Sequence, residues 1–292
     1  MAVSREEGVL SERVVPGPSL YYVARLVTNP RAVIGFLHGY ADHIGRYEHA
    51  FDAWAEAGIS VVGIDLRGHG RAEGLRGYCE RFPEFLDDAA ELHALLRRRV
   101  PSAPAFLMGH SFGGLVAASA MLETPRDYEG LLLSAPYLGL AMQVPLLKIK
   151  AAEVASKIWP KLGIPSGLQG ADVARDPERA RAYDSDPLGF KKATARWFTE
   201  TREAQARAIA NAPRLSLPLY VVFGGTDKVA RLSDAKRFFD QAGSKDKTWD
   251  ERPDVYHEPF SEPDWRSVAD TVRDWIFARA VSPTKSAATL DR

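Results

Sequence analysis

A single cysteine, Cys79, excludes an internal disulfide framework and a cysteine-based zinc site, and it suits a reducing compartment. It reads as a passive packing residue. Neither sign of charge is in excess: 38 Lys and Arg balance 38 Asp and Glu. A formal net charge of zero gives no electrostatic case for nucleic acid or for an anionic membrane. No apolar run reaches the roughly 18 residues that a membrane-spanning helix needs. The stretch Met1–Gly8 also lacks the apolar centre of a signal peptide. These absences predict a cytoplasmic protein, and 292 residues suffice to bury a large core.

What the chain does have is a rhythm of short apolar runs alternating with amphipathic stretches, the pattern of a sheet covered by helices on both faces. Leu20–Val27 and Ala32–Leu37 read as strands, joined as a hairpin through Asn29-Pro30. Ile59–Ile64, Ala105–His110, Leu131–Ser134 and Leu219–Phe223 read as buried parallel strands, and Lys247–Arg252 is strand-like. Between them, Tyr47, Phe51 and Trp54 fall at helical spacing, as do Phe82, Phe85, Leu86, Ala89 and Leu92. Both stripes are core faces. The predicted fold is α/β, with a mostly parallel twisted sheet of about eight strands.

The chemistry concentrates at Gly109-His110-Ser111-Phe112-Gly113, directly after the apolar run Phe106-Leu107-Met108. A serine flanked at two residues by glycines suits a sharp strand-to-helix turn, where any side chain at either glycine would strike neighbouring backbone. Such a turn lifts Ser111 Oγ off the sheet and leaves the Phe112 amide at a helix N-terminus, able to bind a developing oxyanion. In this architecture the acid and base follow the nucleophile in the chain. Of seven histidines only His257 does. Asp227 stands at the end of Leu219–Phe223, where the orienting carboxylate is expected. Asp227 also suits a cap for a helix starting near Leu232, and Asp254 and Glu258 are alternative carboxylate partners for His257.

From Tyr137 to about Pro213 the rhythm breaks into a helical, apolar-rich segment without a buried strand. An insertion between nucleophile and acid lies over the carboxyl end of the sheet, where ligands bind in open α/β folds. It is expected to be a lid over an apolar substrate tunnel, and the domain reading follows. Residues 1–136 and 214–281 form the core, 137–213 the lid, and 282–292 a polar, disordered tail. The second oxyanion donor should be the amide of Tyr40, in the loop Phe36-Leu37-His38-Gly39-Tyr40, with Gly39 permitting the turn. His38, Asp42, His43 and His49 match no standard metal spacing, so no metal and no cofactor are expected.

Several of these segments resemble the α/β-hydrolase fold, and within it the monoacylglycerol lipase and lysophospholipase branch, over roughly residues 15–280. The most specific element is His38-Gly39-x-x-Asp42-His43-x-x-Arg46-Tyr47. Asp65-x-x-Gly68-His69-Gly70, Gly109-His110-Ser111 and, in the insertion, Arg175-Asp176-Pro177 and Asp186-Pro187-Leu188 are similar too. The resemblance implies a triad of Ser111, Asp227 and His257, an oxyanion hole from Tyr40 and Phe112, and substrate-binding roles for Arg46, His38 and Gly39. Arg46 would order the polar end of the site. The chain departs from the branch at Phe112, where methionine is common, at Ala72, where serine is frequent, and at Tyr40, bulkier than the alanine of the mammalian lipases.

The expected activity is hydrolysis of medium-to-long acyl esters, with a small-molecule lipid ester as partner and transient membrane contact through the lid. The same triad also serves a short-chain carboxylesterase, a thioesterase, an acyltransferase or a small-peptide hydrolase. A non-catalytic ligand-binding member of the fold is the third reading.

Overall fold

The computed structural model describes residues 2–10, 12–142 and 144–280; the tail read as disordered lies outside them. In chain order the elements are β1 (Val3–Val9), β2 (Tyr21–Val27), β3 (Ala32–Leu37), α1 (Glu48–Glu56), β4 (Ile59–Asp65), α2 (Pro83–Arg99), β5 (Ala105–His110), α3 (Phe112–Glu123) and β6 (Gly130–Ser134). Then come α4 (Leu146–Ile158), β7 (Gly163–Pro165), α5 (Gly170–Val173), α6 (Pro177–Ser185), β8 (Lys192–Thr194) and α7 (Ala195–Asn211). The chain closes with β9 (Leu219–Gly224), α8 (Leu232–Gln241), β10 (Lys247–Arg252) and α9 (Trp265–Arg279). Eight strands form one sheet in the order β1-β2-β4-β3-β5-β6-β9-β10. β1 and β4 run antiparallel to β2, and every other pairing is parallel.

The central strands are apolar on both faces because both faces are covered. In β5, Ala105 and Leu107 join one core with Leu92 and Leu96 of α2, Leu115 of α3 and Phe238 of α8. Phe106 and Met108 point the other way, into a second core with Phe51 and Trp54 of α1 and Val272 and Ile276 of α9. The period-2 alternation of a strand thus feeds two hydrophobic layers. Among the described residues no helix is long and apolar enough to cross a membrane.

One expectation needs correction, and one strand was missed. Residues 20–27 and 32–37 are not a hairpin: β4 lies between β2 and β3. A strand as apolar as β3 is stable only with a ladder partner at each edge, and it finds β4 and β5 there. At its other edge β2 pairs antiparallel with β1, in register from Val3 opposite Val27 to Val9 opposite Tyr21. The sequence Val3-Ser-Arg-Glu-Glu-Gly-Val9 is polar because it forms an exposed edge. Its alternation is too weak to read as a strand.

Between β6 and β9 the chain leaves the sheet and builds α4 to α7 and the small antiparallel pair of β7 with β8. Its sequence motifs tie it down. Asp186 Oδ2 meets His43 Nε2 at 2.9 Å, and Arg175 Nε donates to Glu262 Oε2 at 2.6 Å. Asp176 caps α6 by accepting from the Glu178 amide at 2.8 Å.

The turn after β4 explains Asp65-x-x-Gly68-His69-Gly70. Buried Asp65 accepts from the amides of Ile44 and Arg71, each at 2.8 Å, and so joins this turn to the loop after β3. Gly70 has φ 50°, and a Cβ there would sit 2.2 Å from Asp65 Oδ2. Asp65→Ala should lower stability by about 2–3 kcal/mol, because two amides lose their acceptor. Asp65→Asn, which keeps one carbonyl oxygen, should lose less. Urea unfolding of the two variants against wild type checks the order.

Candidate active site

Ser111 occupies the corner between β5 and α3 with φ 52° and ψ −116°, a backbone conformation that residues other than glycine rarely adopt. The corner closes because its neighbours have no Cβ. One at Gly109 would lie 2.2 Å from the Gly113 carbonyl oxygen, and one at Gly113 would lie 2.3 Å from that of Leu37. The serine is fixed by its own amide, which donates to Ser134 O at 2.8 Å, and by its carbonyl, which accepts from the Tyr137 amide at 2.9 Å.

The structure brings together the three distant side chains singled out by sequence. His257 Nδ1 donates to Asp227 Oδ2 at 2.7 Å, which leaves Nε2 to accept from Ser111 Oγ at 2.7 Å. Asp227 does not cap α8, whose N-cap is Arg231. Its other oxygen accepts from the amides of Val229 and Ala230, at 2.7 and 2.9 Å, so the carboxylate is locked in orientation. The alternative carboxylates stand elsewhere: Asp254 is exposed, and Glu258 accepts from Arg46 Nη2 at 2.7 Å. Burial disfavours the charged imidazole of His257. The charge and hydrogen bond of Asp227, helped by Glu258 and Asp42, outweigh this and raise its pKa above the ordinary value.

The loop after β3 carries Gly39 and Tyr40 past the serine. Among the described residues the amides of Tyr40 and Phe112 donate to no protein acceptor. The left-handed position in this loop is Ala41, at φ 57°, rather than Gly39. Gly39 is required for closeness, since its Cβ would meet His110 Cδ2 at 3.3 Å and Ser111 Cβ at 3.4 Å. His38 Nε2 accepts from the Leu66 amide at 2.9 Å, so the proton is on Nδ1, which donates to Gly39 O at 2.7 Å. That carbonyl belongs to the same peptide group as the Tyr40 amide. Burial lowers the pKa of His38 and keeps it neutral for this task.

Asp42 is the hub of this loop. It accepts from Tyr47 Oη at 2.6 Å, from the His43 amide at 2.8 Å and from Arg46 Nη1 at 3.4 Å. Arg46 then bridges Asp42 to Glu258 and lies 4.7 Å from the ring centre of Tyr183, in α6. Burial works against the charge on Asp42, but Arg46, His38 and the Tyr47 hydrogen bond hold its pKa below the usual carboxylate range. For Glu258 burial prevails and the pKa is raised. His38, Asp42, His43 and His49 are engaged with different partners; His49 Nε2 donates to Phe260 O at 2.7 Å.

Ser111 and His257 open into a cavity of about 520 Å³, with Gly39, Tyr40, Asp42 and Glu258 near them on its wall. Leu140, Val144, Ala152, Leu162, Ile164 and Phe198, all from the segment between β6 and β9, supply the apolar part. His38 and Arg46 stand behind this wall and not on it. The Phe112 ring turns into the core against Phe85, with centroids 4.9 Å apart, and does not line the cavity. Sequence reasoning missed Trp197 and Tyr183 on the wall, since nothing local in the insertion marks which aromatics face inward.

The description "serine aminopeptidase, S33" belongs to the family whose model matches residues 28–264. A monoacylglycerol lipase of Mycolicibacterium smegmatis is 33% identical over 251 residues, covering 85% of this chain and 89% of that protein. A phospholipase of Bacillus subtilis is 33% identical over 252 residues, covering 84% and 94%. The crystal structure of a monoacylglycerol lipase from Paleococcus ferrophilus superimposes with a TM-score of 0.78 at 25% identity, covering 96% of this chain and all of that one. With a match across most of its length and a third of positions shared with such relatives, the chain belongs to the serine aminopeptidase S33 family of α/β-hydrolases.

Proposed function

We propose that the protein is a serine hydrolase of carboxylic esters with medium-to-long acyl chains, of the monoacylglycerol lipase or lysophospholipase type. The observation that carries this reading is the pair of 2.7 Å contacts linking Asp227, His257 and Ser111 at the end of an apolar cavity. Ser111 Oγ attacks the ester carbonyl while His257 Nε2 takes its proton. Asp227 holds the ring tautomer and stabilises the imidazolium. The tetrahedral oxyanion rests on the amides of Tyr40 and Phe112. Collapse expels the alcohol, protonated by His257, and leaves an acyl-serine. Water, deprotonated by the same histidine, releases the acid and restores the serine.

In this reading residues 137–213 are the lid, and the apolar wall they supply takes the acyl chain. Each buried methylene is worth about 0.8 kcal/mol, so a chain of about ten contributes several kcal/mol toward placing the carbonyl. α4 also turns Leu146, Leu147 and Ile158 outward, each at least 77% exposed, with Trp159 just beyond its end and Lys148, Lys150 and Lys157 beside them. That surface supports transient contact with lipid. The reading of a cytoplasmic location rests on the single cysteine, Cys79, a free thiol compatible with a reducing compartment.

In an acyl series of soluble esters, kcat/KM should climb from acetate to about dodecanoate; a decline beyond butyrate would favour the short-chain reading. An aminoacyl anilide and an acyl thioester in the same panel test peptide and thioester hydrolysis. Ser111→Ala should abolish both turnover and labelling by a fluorophosphonate.

Because His257 acts as base only when neutral, kcat/KM should fall as pH drops through its raised pKa, with a midpoint above the ordinary imidazole value of about 6.5. Asp227→Asn should cost about 10⁴-fold in kcat. A pH profile on a soluble ester checks the first, and steady-state kinetics the second.

Replacing Leu147 and Ile158 by Asp should slow hydrolysis of a monoacylglycerol presented in vesicles by about tenfold or more, each side chain being worth about 1.5–3 kcal/mol when buried in lipid. Hydrolysis of a soluble short ester should be unchanged. Equal rates on vesicles would remove α4 as the contact surface.

A further inference from the structure

The side chain of Tyr40, in the loop after β3, is gripped by the insertion, as that of His43 is by Asp186. Its hydroxyl donates to Lys192 O in β8 at 2.7 Å. Its ring lies on Trp197, in the first turn of α7, with centroids 3.8 Å apart, and meets Phe190 edge-on at 5.2 Å. On the core side the same ring meets His69 at 5.4 Å and Phe112 at 6.1 Å. Room for the hydroxyl is made by Gly77, where a Cβ would sit 2.4 Å from it and 2.9 Å from Lys192 O. The Gly77 carbonyl in turn accepts from Thr194 Oγ1 at 2.7 Å, pinning the same end of β8 to the core. The backbone of Tyr40 meanwhile begins at the peptide that His38 holds by its carbonyl.

One residue therefore carries an oxyanion amide on its backbone and an anchor for the insertion on its side chain. We propose that Tyr40 is a positioning residue that couples the seating of β8 and the first turn of α7 to the aim of its own amide, so that the oxyanion site is complete only when the insertion is docked. This rests on the serine hydrolase reading and deepens it. A shift of β8 away from the core drags the Tyr40 hydroxyl and ring, and the short lever from Cβ to N turns the amide off the position of the developing charge. Substrate that seats the insertion thereby completes its own catalytic site.

The test compares wild type with Tyr40→Phe, which keeps the ring and loses the tie to Lys192, and with Thr194→Val, which frees the end of β8 from Gly77 and uncaps the first turn of α7 while leaving Tyr40 itself unaltered. Three quantities are read: kcat and KM on p-nitrophenyl butyrate and dodecanoate, the rate of fluorophosphonate labelling of Ser111, and the melting temperature. Coupling predicts that both variants lose about threefold to tenfold in kcat and in labelling rate on short and long esters alike, with KM within about twofold. A Tyr40 that merely lines the cavity would change KM and the chain-length profile and leave butyrate kcat and labelling at wild-type values; that result overturns the proposal. A loss in Tyr40→Phe without one in Thr194→Val also overturns it, since the effect would then be local to the hydroxyl. Failure of wild type itself to label would sink the underlying hydrolase reading, and the coupling with it.

Discussion

Ser111 is held in a left-handed backbone conformation by the crossing of segments of the chain that leave no space for a Cβ at Gly109 or Gly113. Everything near the site inherits its geometry from that crossing. The β5 strand end, the first turn of α3 and the loop after β3 approach one another at distances set by backbone contacts at Gly109 and Gly113 that admit no Cβ, with Gly39 close against His110 and Ser111. Strain of this kind costs of order 1–3 kcal/mol and survives only where its surroundings over-determine it. Here two large hydrophobic layers and the bonds from Ser134 O and the Tyr137 amide do so.

Around the strained serine, the polar residues form a chain of mutual constraint. His38 fixes a peptide, Asp42 fixes the turn that follows, and Arg46 neutralises two buried carboxylates at once. A buried ion group of this sort contributes little net stability, but removing one member leaves an uncompensated charge. Its value lies in the single arrangement it permits. Two of the negative groups that help Asp227 raise the pKa of His257, Glu258 and Asp42, belong to the same cluster, so the electrostatics of His257 and the shape of the loop are linked.

How much of this can be read from sequence depends on whether the signal is local. Ser111 declares itself through its glycines, and the central strands through continuous apolar runs. His257 follows from chain order, because no other histidine lies downstream. Asp227 is suggested by its place after β9, yet choosing it over Glu258 or Asp254 needs the direction in which each carboxylate points. β1 escapes because an exposed edge has no buried face to impose alternation, and the β2–β3 hairpin misleads because strand neighbours in space are chosen by ladder pairing rather than by loop length. Trp197 and Tyr183 are illegible for the same reason: which face of a helix turns inward is decided by residues far away in the chain.

The amide of Glu258, next to the base, donates to Val173 O in α5 at 3.0 Å, while Tyr40 hooks the opposite end of the same excursion from the sheet. Of the several ties that hold the segment to the core, one thus lies beside the imidazole and one at Tyr40. The segment is therefore not a detachable cassette. Any replacement has to bring a carbonyl to the histidine loop and a seat for an aromatic ring, or arrive together with compensating changes in the body that receives it.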